Sequence, residues 1–296
     1  MKQIGFIGVG IMGKSMVRNL MKAGYELHIY ARTKSKVEDV ISKGAFFHES
    51  IGECVKGRDA VITIVGFPRD VEEVYFDKGN ILDSADEGTY LIDMTTTSPQ
   101  IAEKLYEEGM KRGFHVLDAP VTGGDAGARE GTLSILVGGD REDYEACQEL
   151  FEAMGTNINY EGKSGCGQHC KLANQIMIAG TLSGVCEALT YVKEKGLDPE
   201  TFIRSVASGA AGSRQFDTFA PKIVAGDYAP GFFMKHFIKD MKLALIEANR
   251  SGLDLGVLSQ VLANYEELEA EGLGDLGTQA LMKFYDEDHR YSGEEE

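Results

Sequence analysis

Lys171, Asn174 and Gln175 are spaced i, i+3 and i+4, so on a helix one ammonium and two amides share a face. A lysine near the start of a helix gains nothing from the helix dipole, whose positive end disfavours it. Beside a cleft of low dielectric its pKa falls, and such an ammonium can give or take a proton near neutral pH. Residue type alone makes Lys171 an ordinary solvated helix lysine; its position is what singles it out. A second signal is DAPVTGGDAGAREGTL (residues 118–133), with Gly123, Gly124, Gly127 and Gly131 within nine residues. Glycines beside Thr122 suggest backbone held open, its N–H groups free to meet an anion. A third is DMTTTSP (residues 93–99), which carries Thr96 after an apolar run. It reads equally as a Ser/Thr helix cap with Pro99 in the first turn.

These groups need a scaffold, and the N-terminus supplies its first piece. Gly8-Val-Gly10-Ile11-Met12-Gly13 follows a strand-like run and opens a helical one, the context that a dinucleotide-binding GxGxxG requires. The first glycine permits a tight turn, and the second lets backbone approach a pyrophosphate. The third lets the helix pack closely while its positive end faces the phosphates. After the next strand, no Asp or Glu stands ready for the ribose hydroxyls of NAD(H). Arg32, Thr33 and Lys36 offer charge and hydrogen bonds to a 2′-phosphate instead. NADP(H) is therefore the preferred cofactor, with NAD(H) possible.

Periodicity fills in the rest. Strands are predicted at 3–7, 26–30, 60–65, 90–93, 115–117 and 133–137, and helices at 11–23, 34–43, 99–112 and 140–154. Such alternation predicts an α/β fold, a Rossmann-type, open, mostly parallel, doubly wound sheet. After residue 162 strand signals stop, and helices are predicted at 165–195, 199–208, 214–224, 233–251 and 255–271. The reading is an NADP-binding Rossmann domain over 1–162 and an all-α domain over 163–296, joined by an interdomain helix starting near 165. That helix would carry Lys171. The acidic residues 286–296 are expected to fray.

The chain has 296 residues and a formal net charge of −17, which argues against nucleic acid or an anionic membrane as partner. Five cysteines, odd in number and irregularly spaced, fit reduced thiols and a cytoplasmic location better than a disulfide framework. Cys166 and Cys170 could share a helix face, but no CxxC or His pair joins them, so no metal site is expected. No apolar run approaches membrane-spanning length.

GFIGVGIMG, DMTTTSP, DAPVTGGDAGAREGTL, GCGQHCKLANQ (residues 165–175) and FFMKHFIKDMKLA (residues 232–244) occur in an order and spacing that resemble the β-hydroxyacid dehydrogenase family. That family includes 3-hydroxyisobutyrate dehydrogenase and tartronate semialdehyde reductase. The resemblance implies that Lys171 is the catalytic acid/base and that Thr122, Gly123 and Gly124 hold a substrate carboxylate. It implies that Asn174 or Gln175 orients substrate. It also implies that Val65, Gly66, Thr96, Phe232, Lys239 and Asp240 lie along the cofactor, and that the protein is a homodimer or homotetramer. By itself, the segment around Lys239 and Asp240 reads as core packing with a surface ion pair. The family commonly has Ser at Thr122 and Asn-Asn at Asn174-Gln175, and the Val65-Gly-Phe-Pro68 segment replaces a frequent Leu-Pro loop.

The expected activity is reversible hydride transfer between NADP(H) and a short 3-hydroxy acid or semialdehyde. A chain this short disfavours decarboxylation of the 6-phosphogluconate dehydrogenase kind, and Lys171 disfavours an imine reductase. The alternative from another class is a non-catalytic NADP-binding scaffold or sensor, which could keep the glycine loop but has no need of Lys171.

Overall fold

The computed structural model describes residues 1–285, so the expected fraying of 286–296 lies outside the described residues. The chain divides into two compact units, Met1–Lys171 and the part from Leu172 onward.

The first unit alternates strand and helix. It runs β1 (Gln3–Ile7), α1 (Ile11–Lys22), β2 (Glu26–Tyr30), a 3-10 turn (Lys34–Val37), α2 (Glu38–Ile41), β3 (Phe46–Phe47), α3 (Ile51–Val55) and β4 (Ala60–Thr63). Then come α4 (Pro68–Phe76), α5 (Ile81–Ser84), β5 (Tyr90–Asp93), α6 (Pro99–Met110), β6 (His115–Asp118), β7 (Val121–Thr122) and α7 (Gly124–Glu130). It closes with β8 (Leu133–Gly139), α8 (Arg141–Ala146), α9 (Gln148–Glu152), β9 (Gly155–Gly162) and the first turns of α10 (Cys166–Glu194).

The sheet order is β3-β2-β1-β4-β5-β6-β8-β7, with β9 added on β8. From β3 to β6 every pairing is parallel. β8 runs antiparallel to β6 and β7, and β9 returns parallel to β8. Successive strand residues face opposite sides of the sheet. Ile4, Phe6, Ile62, Ile92 and Leu117 accordingly pack into one core with Met16 and Leu20 of α1. Ile7, Val61, Leu91 and Val116 pack into another with Tyr75 of α4 and Leu105 of α6. Helices on both faces explain why the parallel strands read as unbroken apolar runs rather than alternating ones.

Two predicted helices are broken. The 34–43 segment is a 3-10 turn followed by one α turn, because Val37 (φ −122°, ψ 9°) leaves helical geometry. The 140–154 segment divides at the buried Cys147, whose N–H bonds to the carbonyls of both Asp143 and Tyr144.

The second unit contains the rest of α10, then α11 (Pro199–Val206), α12 (Arg214–Val224), α13 (Met234–Arg250), α14 (Gly256–Ala270) and a 3-10 segment (Thr278–Tyr285). Leu182, Cys186, Leu189, Phe216, Phe237, Met241, Tyr265 and Leu281 form its core. The Phe237 and Tyr265 rings meet edge to face at 5.4 Å, and the Tyr265 hydroxyl donates to the Thr278 carbonyl at 2.7 Å. α10 amends one expectation. With 29 residues and a mean hydropathy of 1.2 over its most apolar stretch, it is long and apolar enough to cross a membrane. Burial of Ala179, Leu182, Cys186 and Leu189 in the helical core accounts for that composition. The N-terminal sheet unit is a Rossmann-type domain, and the part that follows is helical.

Candidate active site

The glycine loop separates into positions that serve the fold and one that does not. Gly8 has φ +97°, and a Cβ there would lie 2.0 Å from the Ile64 carbonyl oxygen. A Cβ on Gly13 would lie 2.1 Å from the Gly8 carbonyl oxygen. Both contacts are with backbone, which cannot step aside. At Gly10 a Cβ would meet nothing within 4 Å. The first hydrogen bond of α1 runs from Lys14 N to Gly10 O (2.9 Å), so the N–H groups of Ile11, Met12 and Gly13 have no partner within the helix. No side chain caps this end, and its first turn holds no acid. An uncapped, positively polarised helix end facing open space fits the pyrophosphate of a dinucleotide. Past β2, Arg32, Thr33 and Lys36 are exposed, and the Arg32 guanidinium stands 3.8 Å from the Asp70 carboxylate.

At the carboxyl ends of β4, β5 and β6 lies a buried polar chain. The Thr63 hydroxyl donates to Asp93 Oδ1 (2.8 Å), which leaves the Tyr75 hydroxyl to donate to Thr63 (2.9 Å). Asp93 Oδ1 also accepts from Thr95 N (3.1 Å), and Thr95 Oγ1 accepts from Val65 N (3.0 Å). The loops that carry Val65 and Thr96 are thus tied together. Burial holds the Tyr75 phenol well above its ordinary pKa.

The same chain reaches the start of α10. Gln168 Oε1 accepts from Thr97 N (2.9 Å), and its Nε2 donates to Thr95 O (2.8 Å). Asp118, at the end of β6, accepts from Gly165 N on Oδ1 (2.8 Å) and from Gln168 N on Oδ2 (2.9 Å). Burial pushes the Asp118 carboxyl up to about 7, against these two donors, which favour the charged form. Glycine makes the fit possible here, since a Cβ on Gly167 would lie 2.4 Å from Leu136 O and 2.7 Å from Asp118 O. Lys171 follows Gln168 by one turn and is only 7% exposed. Neither Asp118 nor Gln168 was singled out from sequence. Both sit inside motifs in which the glycines and the lysine are the conspicuous residues.

The glycine cluster after β6 is less open than its composition suggests. Residues 124–130 form α7, which Gly131 (φ +70°) ends in the left-handed conformation. Gly127 lets Leu133 approach, with a would-be Cβ at 3.3 Å from Leu133 Cδ2, and Asn19 of α1 donates to Ala128 O at 2.8 Å. Gly127 and Gly131 therefore serve packing and termination. Thr122 is half-buried on β7 opposite Ser134, and Gly123 (φ +129°) and Gly124 (φ +63°) form the turn after it. A Cβ on Gly124 would again meet nothing within 4 Å.

In the helical unit, Gln175 Nε2 donates to Asp240 Oδ2 (2.6 Å), and Asn174 Nδ2 donates to Gln175 Oε1 (2.8 Å). Lys239 Nζ lies 3.0 Å from Asp240 Oδ1. The reading of Lys239 and Asp240 as a surface pair is wrong: their side chains are 11% and 1% exposed. Phe232 stacks on His236 with ring centroids 6.4 Å apart. Gln175 and Asp240 are thus buried together, with Lys239 and Asn174 partly buried beside them.

Comparison with known proteins places both halves. Residues 3–162 match the family model of the NAD binding domain of 6-phosphogluconate dehydrogenase. Residues 165–285 match the model described as NAD-binding of NADP-dependent 3-hydroxyisobutyrate dehydrogenase. A probable 3-hydroxyisobutyrate dehydrogenase-like protein of Arabidopsis thaliana is 43% identical over 95% of this chain and 84% of its own length. The 2-hydroxy-3-oxopropionate reductase of Escherichia coli is 34% identical over 95% of this chain and 96% of its own length. Among solved structures, Mycobacterium tuberculosis 3-hydroxyisobutyrate dehydrogenase with L-serine superposes with a TM-score of 0.87. It is 27% identical and covers 96% of this chain and 98% of its own.

Proposed function

Since this chain belongs to the β-hydroxyacid dehydrogenase family and is an NAD(P)-dependent oxidoreductase acting on CH–OH groups, we propose that it interconverts a short 3-hydroxy acid and its semialdehyde with NADP(H). The single observation that carries the reading is Lys171, a buried lysine one turn beyond the hydrogen-bonded start of α10.

Gly8, Gly10, Ile11, Met12 and Gly13 would hold the pyrophosphate, and Arg32, Thr33 and Lys36 the 2′-phosphate. Val65, Gly66, Thr96, Phe232, Lys239 and Asp240 would lie toward the nicotinamide. When bound, the cofactor supplies or takes up the hydride. Lys171 handles the proton: as an ammonium it donates to the carbonyl oxygen in reduction, and as an amine it accepts the hydroxyl proton in oxidation. Thr122, Gly123 and Gly124 hold the substrate carboxylate, which fixes the reacting carbon against the nicotinamide. Of the two amides, Asn174 orients substrate, because Gln175 is engaged with Asp240 and Asn174.

The compounds named for the relatives share a pattern that would define the class: a hydroxymethyl or formyl group on the carbon that bears the carboxylate, with a variable substituent beside it. The methyl group of Thr122 would narrow the room for that substituent. We place the protein in the cytoplasm as a homodimer or homotetramer. The test is a panel of 3-hydroxyisobutyrate, L-serine and glycerate with NADP+, and of 2-hydroxy-3-oxopropionate with NADPH, followed by absorbance. Lys171→Ala should cost about two to four powers of ten in turnover on the best of these. Near-normal turnover of that variant, with cofactor binding intact, overturns the assignment.

A further inference from the structure

Gln168 belongs to none of the groups placed on cofactor or substrate, yet it is fully buried and commits both ends of its amide to backbone. Its partners, Thr95 O (2.8 Å) and Thr97 N (2.9 Å), flank Thr96, so the amide spans the loop with Thr96 between its two anchors. Its own N–H donates to Asp118 Oδ2 at 2.9 Å, and Gly165 N donates to the other oxygen at 2.8 Å. Those two bonds fix the helix end from which the side chain reaches out. Lys171 comes one turn later, three residues on, along the same side of the helix.

We propose that Gln168 is a positioning residue: it sets where Lys171 stands relative to the loop of Thr96, and so relative to the nicotinamide end of the cofactor. The proposal rests on Lys171 being the acid/base. The loop offers one acceptor, Thr95 O, and one donor, Thr97 N–H, and a primary amide answers both at once. A carboxylate at this place sets a negative oxygen against the Thr95 carbonyl. A thioether leaves two buried backbone groups unsatisfied, so the loop must shift to find partners. Asn is a methylene too short. Either failure moves Thr96 and Lys171 apart without touching substrate, and misplacement by about 1 Å is enough to cost about 100-fold.

The test uses the full chain with Gln168→Met and Gln168→Glu. Melting temperature, NADPH affinity by fluorescence, and kcat and KM on the best substrate of the panel are measured for each. The expected result for Gln168→Met is a kcat lower by about 10- to 100-fold, with NADPH affinity changed by less than about threefold. Gln168→Glu is nearly isosteric and keeps the experiment open should the Met variant fail to fold. Its loss relative to wild type should shrink as pH falls, because a protonated carboxyl offers one donor and one acceptor, as the amide does.

The deciding measurement repeats the substitution in a Lys171→Ala background. A group that acts through Lys171 costs nothing further once Lys171 is gone. A multiplicative loss there, or kcat within twofold of wild type in both single variants, overturns the proposal and leaves the role of Lys171 standing. Near-normal turnover of Lys171→Ala alone overturns the acid/base assignment and this proposal with it.

Discussion

Gly10→Ala separates binding from folding. Its backbone (φ −85°, ψ −155°) is extended and open to any L residue, and a Cβ there meets no protein atom within 4 Å. Replacing glycine at a compatible site restricts the unfolded chain, which stabilises by about 0.4–1 kcal/mol. In a chain this long that is a rise in melting temperature of at most about 3 °C. The same methyl group would fill the space in front of the N–H groups of Ile11, Met12 and Gly13, where the proposed pyrophosphate would sit. Losing one charge-assisted hydrogen bond costs about 1.5–3 kcal/mol, or about 10- to 100-fold in the Kd of NADPH. Titration of full-length protein with NADPH, followed by calorimetry or fluorescence, reads the affinity, and a thermal melt reads the fold. An unchanged melt with Kd within twofold of wild type would refute the placement of the pyrophosphate. The control is Gly8→Ala, whose Cβ would lie 2.0 Å from the Ile64 carbonyl oxygen at φ +97°. It should fail to fold stably, and a wild-type melt for it would refute the steric reasoning.

Two further outcomes are expected. Arg32, 79% exposed along its side chain, contributes little to stability. Arg32→Ala should leave the melt unchanged and raise KM for NADPH by about 10-fold or more, with NADH unaffected; equal effects on both cofactors would remove Arg32 from the 2′-phosphate. Asp118 holds its proton up to about 7 when folded, against 3.8 for the free side chain. Between those values the folded chain binds the extra proton, so this group's contribution to stability declines as pH rises through that window and is level outside it. Asp118→Asn should flatten that part of the pH–stability curve measured by thermal melts, and an unchanged slope would show that Asp118 does not titrate there.

Much of the fold was legible because two-sided burial writes itself into strands such as residues 3–7 and 90–93 as apolar runs. Strand direction was not legible: β8 has the same apolar texture as β5, yet it runs antiparallel to β6. Periodicity carries no direction. α7 was hidden because it begins on Gly124, a poor helix former, and is held by Leu133 and Asn19 rather than by propensity. α4 does leave a mark, with Pro68 in its first turn and Asp70 accepting from Phe67 N at 3.0 Å, but the predicted elements do not include it and the loop reading covers only Val65–Pro68. Among the site residues, Lys171 and the glycines stand out by type and spacing. Gln168 does not, since its partners are main-chain atoms, and any residue type could have supplied those.

The bonds that hold the start of α10 reach far along the chain. Gln168 bonds across 71 and 73 residues, and Asp118 bonds across 47 and 50. The helix itself needs only neighbours four residues apart. A refolding chain can therefore wind α10 early, but it can set Lys171 in place only after β4, β5 and β6 have been laid side by side and the loop around Thr96 has closed. Helical signal should return before turnover does. The group proposed to move the proton is then among the last parts to be assembled, so a partly folded chain would have its cores and helices but little chemistry.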